Sequence, residues 1–326
     1  MNKFINNIFS IKSEQDFSSL ALQIFRFQAE NNPVYRAYLK YLHKNNEIQS
    51  VRDIPFLPVE FFKHHKVIAG KGKPDLVFSS SGTTGEKPAR HFVADSNVYK
   101  TSFRRCFEKF YGNIQNYCIL ALLPSYLERK NASLAYMVND WIEQSNHPQS
   151  GFFLDNLNGL SKTISSLESQ EQKTILIGVS FALLDLAEKQ KMHLKHTTVM
   201  ETGGMKGRRK ELIKTELHEM LRNNLGIDAV HSEYGMTELL SQAYSKGNNR
   251  FRCPPWMKII IRDIYDPFQF LSPEHTGGIN VIDLANIHSC AFIETSDLGK
   301  THSDGSFEVL GRMDNRDIRG CNLMVE

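Results

Sequence analysis

The sequence predicts an α/β protein with layered sheets, flanking helices and a smaller β-rich portion, on three observations. Helical spacing dominates the first stretch, residues 14–45. From there to about residue 250, apolar strand-like runs alternate with helix-like stretches, a pattern that calls for parallel strands with helices layered over them. Beyond residue 251 short apolar runs recur at turn-separated intervals, which reads as a small antiparallel or barrel-like subdomain. The expected division is therefore an α/β core over 1–250 and a β-rich subdomain with a C-terminal tail over 251–326.

Taken in order, Phe17, Leu20, Ile24, Phe25, Phe27, Tyr35, Tyr38, Leu39 and Leu42 fall mostly three or four residues apart, predicting two helices broken near Pro33. The prolines of Ile54–Val59 exclude a regular helix and predict an extended segment. Leu76-Val77-Phe78 reads as the end of a strand. Tyr117–Leu123 and Thr174–Val179 are continuous apolar runs; Thr197–Met200 and Ala229–Val230 are shorter strand candidates. Arg208–Leu225 carries one apolar face, formed by Leu212, Ile213, Leu217, Met220, Leu221 and Leu225, with Gly226 placed as a C-terminal cap. Lys258–Ile261, Ile279–Leu284, Ala291–Ile293 and Phe307–Leu310 complete the strand candidates.

Composition narrows the class. The 326 residues are 41% apolar and 23% charged with a net charge of +3, ordinary for a soluble globular chain and too weakly basic for a nucleic-acid surface. No run of about 18 apolar residues predicts a membrane span, and the N-terminus lacks a secretory h-region. Five cysteines without C-x-x-C spacing argue against a disulfide framework or a zinc site, so a reducing cytoplasm is the expected setting. His64-His65 sit between Lys63 and Lys66 with no evident third ligand and read as solvated. No G-x-S-x-G elbow supports a hydrolase.

The most informative segment is 79–88, where Ser79, Ser80, Ser81, Thr83 and Thr84 interleave with Gly82 and Gly85. Glycine permits close backbone approach, exposed N–H groups form an anion-binding nest, and the hydroxyls add neutral donors. The spacing differs from G-x-x-x-x-G-K-[ST], and a plain Ser/Gly linker would use the same letters. Four further segments follow in order: Thr202-Gly203-Gly204, Tyr234-Gly235-Met236-Thr237-Glu238, Thr295-Ser296-Asp297 and Gly311-Arg312-Met313-Asp314. Taken alone, Thr237 and Glu238 could equally cap a helix and favour its dipole.

Together these segments resemble the adenylate-forming superfamily, whose members join carboxylic acids to AMP before passing the acyl group to a thiol. The resemblance covers roughly residues 55–321 and implies the large N-terminal lobe of that fold, with ATP and Mg²⁺ as cofactors. It implies that Ser79, Ser80, Ser81, Gly82, Thr83, Thr84 and Gly85 cradle the β- and γ-phosphates. Lys87 is the implied lysine of the loop, although it precedes Pro88 where the family order is Pro-Lys, leaving Arg90 as a competitor. Gly203 and Gly204 would admit the adenine edge, and Tyr234, followed by Gly235, would pack on the ring. Thr237 would bond the α-phosphate and Glu238 would hold Mg²⁺. Asp297 would accept both ribose hydroxyls, and Arg312 would meet ribose or phosphate.

The chain departs from full-length ligases by closing fourteen residues after Arg312, so the mobile C-terminal domain, with its lysine and thiol tunnel, is expected to be absent. Cys321 offers a sulfur instead. It lies nine residues past Arg312, within an extended reach of about 30 Å, and Arg316 and Arg319 would favour its thiolate. With the Ile-Pro-Phe-Leu-Pro entry, Thr-Gly-Gly-Met-Lys-Gly and the terminal Arg-Gly-Cys, the chain resembles the LuxE-type acyl-protein synthetases of bacterial luminescence. That resemblance implies a long-chain fatty acid–protein ligase in which Cys321 is acylated. The acyl group would then pass to a reductase-like partner protein. The other four cysteines read as small buried hydrophobes. Two other readings stay open: an acyl- or aryl-CoA ligase-like enzyme, and a non-catalytic nucleotide-binding subunit. Chain length, acceptor and oligomeric state are not written in the sequence.

Overall fold

The computed structural model describes residues 2–44, 48–80, 87–125, 131–203 and 212–313, the side chains of Asn2 and Lys3 excepted. The chain forms two compact units that interleave along the sequence. One comprises Met1–Asp75, His91–Ala94 and Pro255–Glu326; the other comprises Leu76–Arg90 and Asp95–Pro254.

The second unit is built on a parallel sheet. Cys118–Leu122 pairs in parallel with Gly151–Phe152 on one side and Thr174–Val179 on the other, followed by Thr197–Thr202 and His231–Tyr234. Every residue of Cys118–Leu122 and Thr174–Val179 is buried, as continuous apolar strands covered on both faces should be. Helices Ser96–Tyr111, Ser133–Ser145, Leu157–Ser169, Ser180–Lys189 and Lys214–Leu225 belong to this unit. Ala243–Ser245 and Phe251–Arg252 extend the sheet in antiparallel pairing. Gly178 has a packing reason: a Cβ there would lie 2.9 Å from Leu122 and Leu183 side-chain carbons.

Two of the boundaries that differ from the sequence reading bear on the site. Helix Lys214–Leu225 begins later than Arg208; Leu212 and Ile213 precede it outside the helix, Ile213 in extended backbone and exposed rather than on the apolar face. Its C-terminus matches, with Gly226 at φ 62° and ψ 42°. The strand read at Ala229–Val230 runs instead over His231–Tyr234, so it delivers the chain directly into the Tyr-Gly-Met-Thr-Glu segment.

The first unit joins the N-terminal helices to an antiparallel sheet. Ser13 and Asp16 form a reciprocal capping box for Glu14–Asn31. Asn32 ends that helix and caps Pro33–Tyr41, with proline at its first position. Strands Met257–Arg262, Gly277–Asp283, Phe292–Thr301 and Phe307–Arg312 pair in sequence order, and Leu57–Pro58 adds a short parallel strand to Phe292–Thr301. Buried Gln28 donates to the carbonyls of Asn286 and Ile287 and accepts from Ala291 N–H, while Phe25, Tyr35 and Phe56 pack on Phe292. Among the described residues no helix is long and apolar enough to cross a membrane.

Candidate functional site

Parallel pairing puts the carboxyl ends of successive strands along one edge of the sheet, where ligands of open α/β sheets bind. Thr197–Thr202 and His231–Tyr234 are neighbours with Thr202 opposite Glu233. The two motif turns that follow them therefore leave the sheet side by side.

The first turn passes through Gly203 at φ 70°, a left-handed conformation that glycine adopts without steric cost. Ser180, the first residue of the helix Ser180–Lys189, fixes this turn by donating its hydroxyl to Gly203 O at 2.7 Å. Gly204 lies outside the described residues.

The second turn begins at Tyr234, which is buried with its ring 6.0 Å from Phe251. Gly235 follows, and a Cβ there would collide with Glu233 Oε1. Leu239 N–H donates to Met236 O at 3.1 Å, closing the turn. No helix starts here, so the capping alternative for Thr237 and Glu238 is overturned. Thr237 is half-buried, and Glu238 is buried with 6% of its surface exposed.

The hydroxyl loop belongs to the same unit. Ser80 N–H donates to Ala89 O at 3.0 Å, and Ala89 N–H donates to Ser80 Oγ at 2.9 Å, clamping the neck of the loop. Ser79 N–H donates to Asn131 O at 2.7 Å. Ser80 thus has one hydroxyl lone pair engaged, while its O–H can still donate. Lys87 and Arg90 are both exposed. Ser81, Gly82, Thr83, Thr84 and Gly85 lie outside the described residues.

In the other unit the structure brings together two segments that were separate in sequence. Asp297 and Arg312 face each other on adjacent antiparallel strands, with Arg312 Nε 3.5 Å from Asp297 Oδ1. Asp297 N–H donates to Thr295 Oγ1, and Thr295 Oγ1 donates to Ile279 O. Arg262 Nη2 donates to Thr295 O at 2.8 Å. Asp297 is thus a buried carboxylate beside a largely exposed Arg312 side chain.

Sequence reading missed Glu233, Glu201, Lys214 and Arg262, all buried or half-buried charged groups. Glu201 lies 2.8 Å from Lys214 Nζ and 3.5 Å from His218 Nε2. Burial pushes its carboxyl up, but His218 and Lys214 overcome that and hold it at about 2. The same Lys214 ammonium sits 4.4 Å over the Phe251 ring. Burial raises Glu233 to about 7, against the bond from the Thr202 hydroxyl. These pairings depend on strand register and carry no motif.

Among the thiols, Cys106, Cys118 and Cys290 are buried, and Cys253 is half-exposed. Burial pushes Cys118 up to about 11 and Cys290 to about 12, so neither is a nucleophile near neutrality. Cys321 lies outside the described residues. His64 and His65 are exposed. No group of three or more metal-ligating side chains is assembled among the described residues. A Mg²⁺ ion held at Glu238 would ordinarily complete its shell with phosphate oxygens and water. Leu123, Ser125 and residues 152–156 line a pocket of about 130 Å³, smaller than the roughly 300–1,000 Å³ of typical ligand sites.

Comparison with known proteins places this arrangement. The ATP-bound structure of MatB from Rhodopseudomonas palustris superposes with a TM-score of 0.56 at 16% identity, covering 74% of this chain and 49% of that one. MenE from Bacillus subtilis, with ATP and magnesium, gives 0.51 at 21% identity over 72% and 49%. An open conformation of 2-hydroxyisobutyryl-CoA ligase, in complex with 2-HIB-AMP and CoA, gives 0.67 at 11% identity over 94% and 72%. The chain spans about half the length of the MatB and MenE structures. The shared fold is that of the large lobe of adenylate-forming enzymes, as the motifs implied. The long-chain-fatty-acid–luciferin-component ligase of Aliivibrio fischeri is 22% identical over 344 residues, covering 94% of this chain and 86% of that protein. The family model "Acyl-protein synthetase, LuxE" matches residues 9–326, and the chain belongs to that family.

Proposed function

We propose that this chain uses ATP to convert a carboxylic acid, in the first instance a fatty acid, into an acyl-AMP, and then carries the acyl group on the thiol of Cys321. The observation that supports it best is the pair of motif turns, at Gly203 and at Tyr234–Glu238, emerging from neighbouring parallel strands. In the first step a carboxylate oxygen attacks the α-phosphorus and pyrophosphate leaves. In the second the Cys321 thiolate attacks the acyl carbon, AMP leaves, and a thioester remains.

The residues have distinct tasks in this reading. The hydroxyl loop, with Lys87 or Arg90, would receive the β- and γ-phosphates. Thr237 would donate to the α-phosphate as charge develops there, a contribution of about 3–4 kcal/mol when such a donor is removed. Glu238 supplies a hard oxygen for Mg²⁺, Tyr234 a flat apolar face for adenine, and Asp297 a fork for the ribose hydroxyls. The name of the A. fischeri relative supports a long-chain fatty acid as the acid. A reductase-like acceptor protein and a cytoplasmic setting belong to the same proposal. Transfer to coenzyme A is the second reading, favoured by the fold shared with a ligase structure that contains CoA.

Incubation of wild type and Cys321→Ser with labelled fatty acids, ATP and Mg²⁺, in the absence and in the presence of coenzyme A, separates the two. Hydroxylamine-labile label on wild type and none on the variant is the expected outcome. Label persisting on the variant, or acyl-CoA formed equally well by both proteins, removes Cys321 from the mechanism.

A further inference from the structure

Between the two motif turns lies a buried carboxyl group for which the proposed chemistry has no use. Glu233 is the residue before Tyr234, is 8% exposed, and faces Thr202 across the parallel ladder. Thr202 Oγ1 donates to Glu233 Oε2 at 2.5 Å. The other oxygen, Oε1, occupies the space that a side chain at position 235 would need. One carboxyl group therefore touches the last strand residue before Gly203 and the glycine that opens the Tyr234–Glu238 turn.

We infer that Glu233 is a positioning residue whose carboxyl group sets the spacing between the Gly203 turn and the Tyr234–Glu238 turn, and through them the seat of the nucleotide. The inference rests on the reading of those turns as a nucleotide site. Its protonation state then matters. Among the described residues, the groups acting on Glu233 are Glu201 and Thr202 on the neighbouring strand, Lys214 at the start of the next helix, Tyr244 opposite it on the antiparallel strand, and Tyr111. Both tyrosines are pushed above their ordinary range by burial and stay neutral. Lys214 is held by Glu201 at 2.8 Å, and Glu201 is already ionised. Among the described residues a second buried anion at Glu233 has no cation beyond the Lys214 already paired with Glu201, and it would sit beside the turn that receives a polyanion. Glu233 is thus competent as the neutral acid, and burial places its titration at about 7. Nucleotide binding and ionisation of Glu233 oppose each other.

The test is equilibrium dialysis of the full-length chain with labelled ATP at saturating Mg²⁺, from about pH 5.5 to about pH 8.5. Wild type should lose affinity above the midpoint, by at most about tenfold per pH unit. Glu233→Gln keeps the shape and the acceptor for Thr202 but cannot ionise, so its profile should be flat at the low-pH value. Thr202→Val removes a bond that lowers the Glu233 pKa and should move the midpoint to higher pH, which a merely structural role would not do. Coincident profiles for wild type and Glu233→Gln, or an unmoved midpoint in Thr202→Val, overturn the inference.

Acid-dependent pyrophosphate exchange on the same proteins separates the two readings. ATP binding with the expected profiles but without exchange sustains the inference and removes acyl activation. Exchange with coincident profiles sustains acyl activation and removes the inference. Absence of ATP binding in every protein removes both.

Discussion

Arg262 illustrates how far a single residue's role can escape its sequence. It ends the strand Met257–Arg262, whose burial alternates as far as Ile261, so that the next side chain would ordinarily face water. The structure buries it to 4% exposure, with Nη1 donating to Ile279 O and Asn280 Oδ1 and Nη2 to Thr295 O. Glu294 is 3.4 Å away. Register explains the burial: Arg262 pairs with Gly278, and any side chain at 278 would collide with the guanidinium. Sequence shows an arginine and a glycine sixteen positions apart but not their apposition. Asp297 and Arg312, by contrast, were legible as motif fragments, and the structure adds that they are cross-strand partners. With Arg312 exposed and 3.5 Å from a buried Asp297, the pair contributes only about 0–1 kcal/mol, so the order at Asp297 depends more on the Arg262–Thr295 link behind it. Arg262→Met leaves three acceptors and Glu294 without their partner, and should lower stability by about 3 kcal/mol or more in urea denaturation. Arg262→Lys should rescue little, because an ammonium cannot reproduce the planar fork. A loss below about 1 kcal/mol for either variant would mean that solvent replaces these bonds readily.

At the scale of elements, strands and helix ends were legible where local chemistry fixes them. The largely apolar run Thr174–Val179 forms the strand over those residues and is buried throughout. Gly226 ends the helix Lys214–Leu225 in the left-handed region as its position implied. The helix start was not legible, because a tertiary ion pair intervenes: Lys214, its first residue, reaches back to Glu201. The Tyr234–Glu238 turn was similarly ambiguous, since Thr-Glu after a strand serves a cap or a turn equally well. The Gly226 end allows a sharp test. A Cβ there would lie 2.6 Å from His193 Nδ1 and 2.9 Å from Met192 O, in a loop tied to the helix by Met192 N–H to Asn224 O and Leu194 N–H to Leu225 O. Gly226→Ala combines left-handed strain of about 1–2 kcal/mol with that collision. Its denaturation midpoint should fall by an amount equivalent to about 2 kcal/mol or more. Gly112→Ala is a different case: at φ 82° and ψ −156° it occupies a region that essentially only glycine adopts, with nothing near the added Cβ, so any loss there is backbone strain alone. A loss below about 1 kcal/mol in Gly226→Ala would mean that the 192–194 loop yields to the added methyl.

For the molecule as a whole, the two buried glutamates give opposite contributions to stability against pH. Glu201 stands at about 2 in the fold against an ordinary value of 4.5. Its ionised form is favoured by folding, so its contribution is present above pH 4.5 and is lost as pH falls towards 2. Glu233 stands at about 7 against the same ordinary value. Here the folded chain binds the extra proton, so stability is greatest below pH 4.5 and declines as pH rises towards 7, by up to about 1.4 kcal/mol per unit. Together the pair favours folding most strongly near pH 4.5, and the descending limb crosses the range in which the protein is handled. Glu233→Gln should remove that limb. Relative to wild type, its urea midpoint should rise progressively between pH 4.5 and 7, reaching about 3 kcal/mol, and stay level beyond. Glu201→Gln should show the opposite trend: it strands Lys214 and His218 near neutrality and costs about 3 kcal/mol there, with the loss shrinking as acid protonates wild-type Glu201. Parallel profiles for wild type and Glu233→Gln would mean that Glu233 ionises freely in the folded chain. The carboxyl group between the two turns would then act by shape alone.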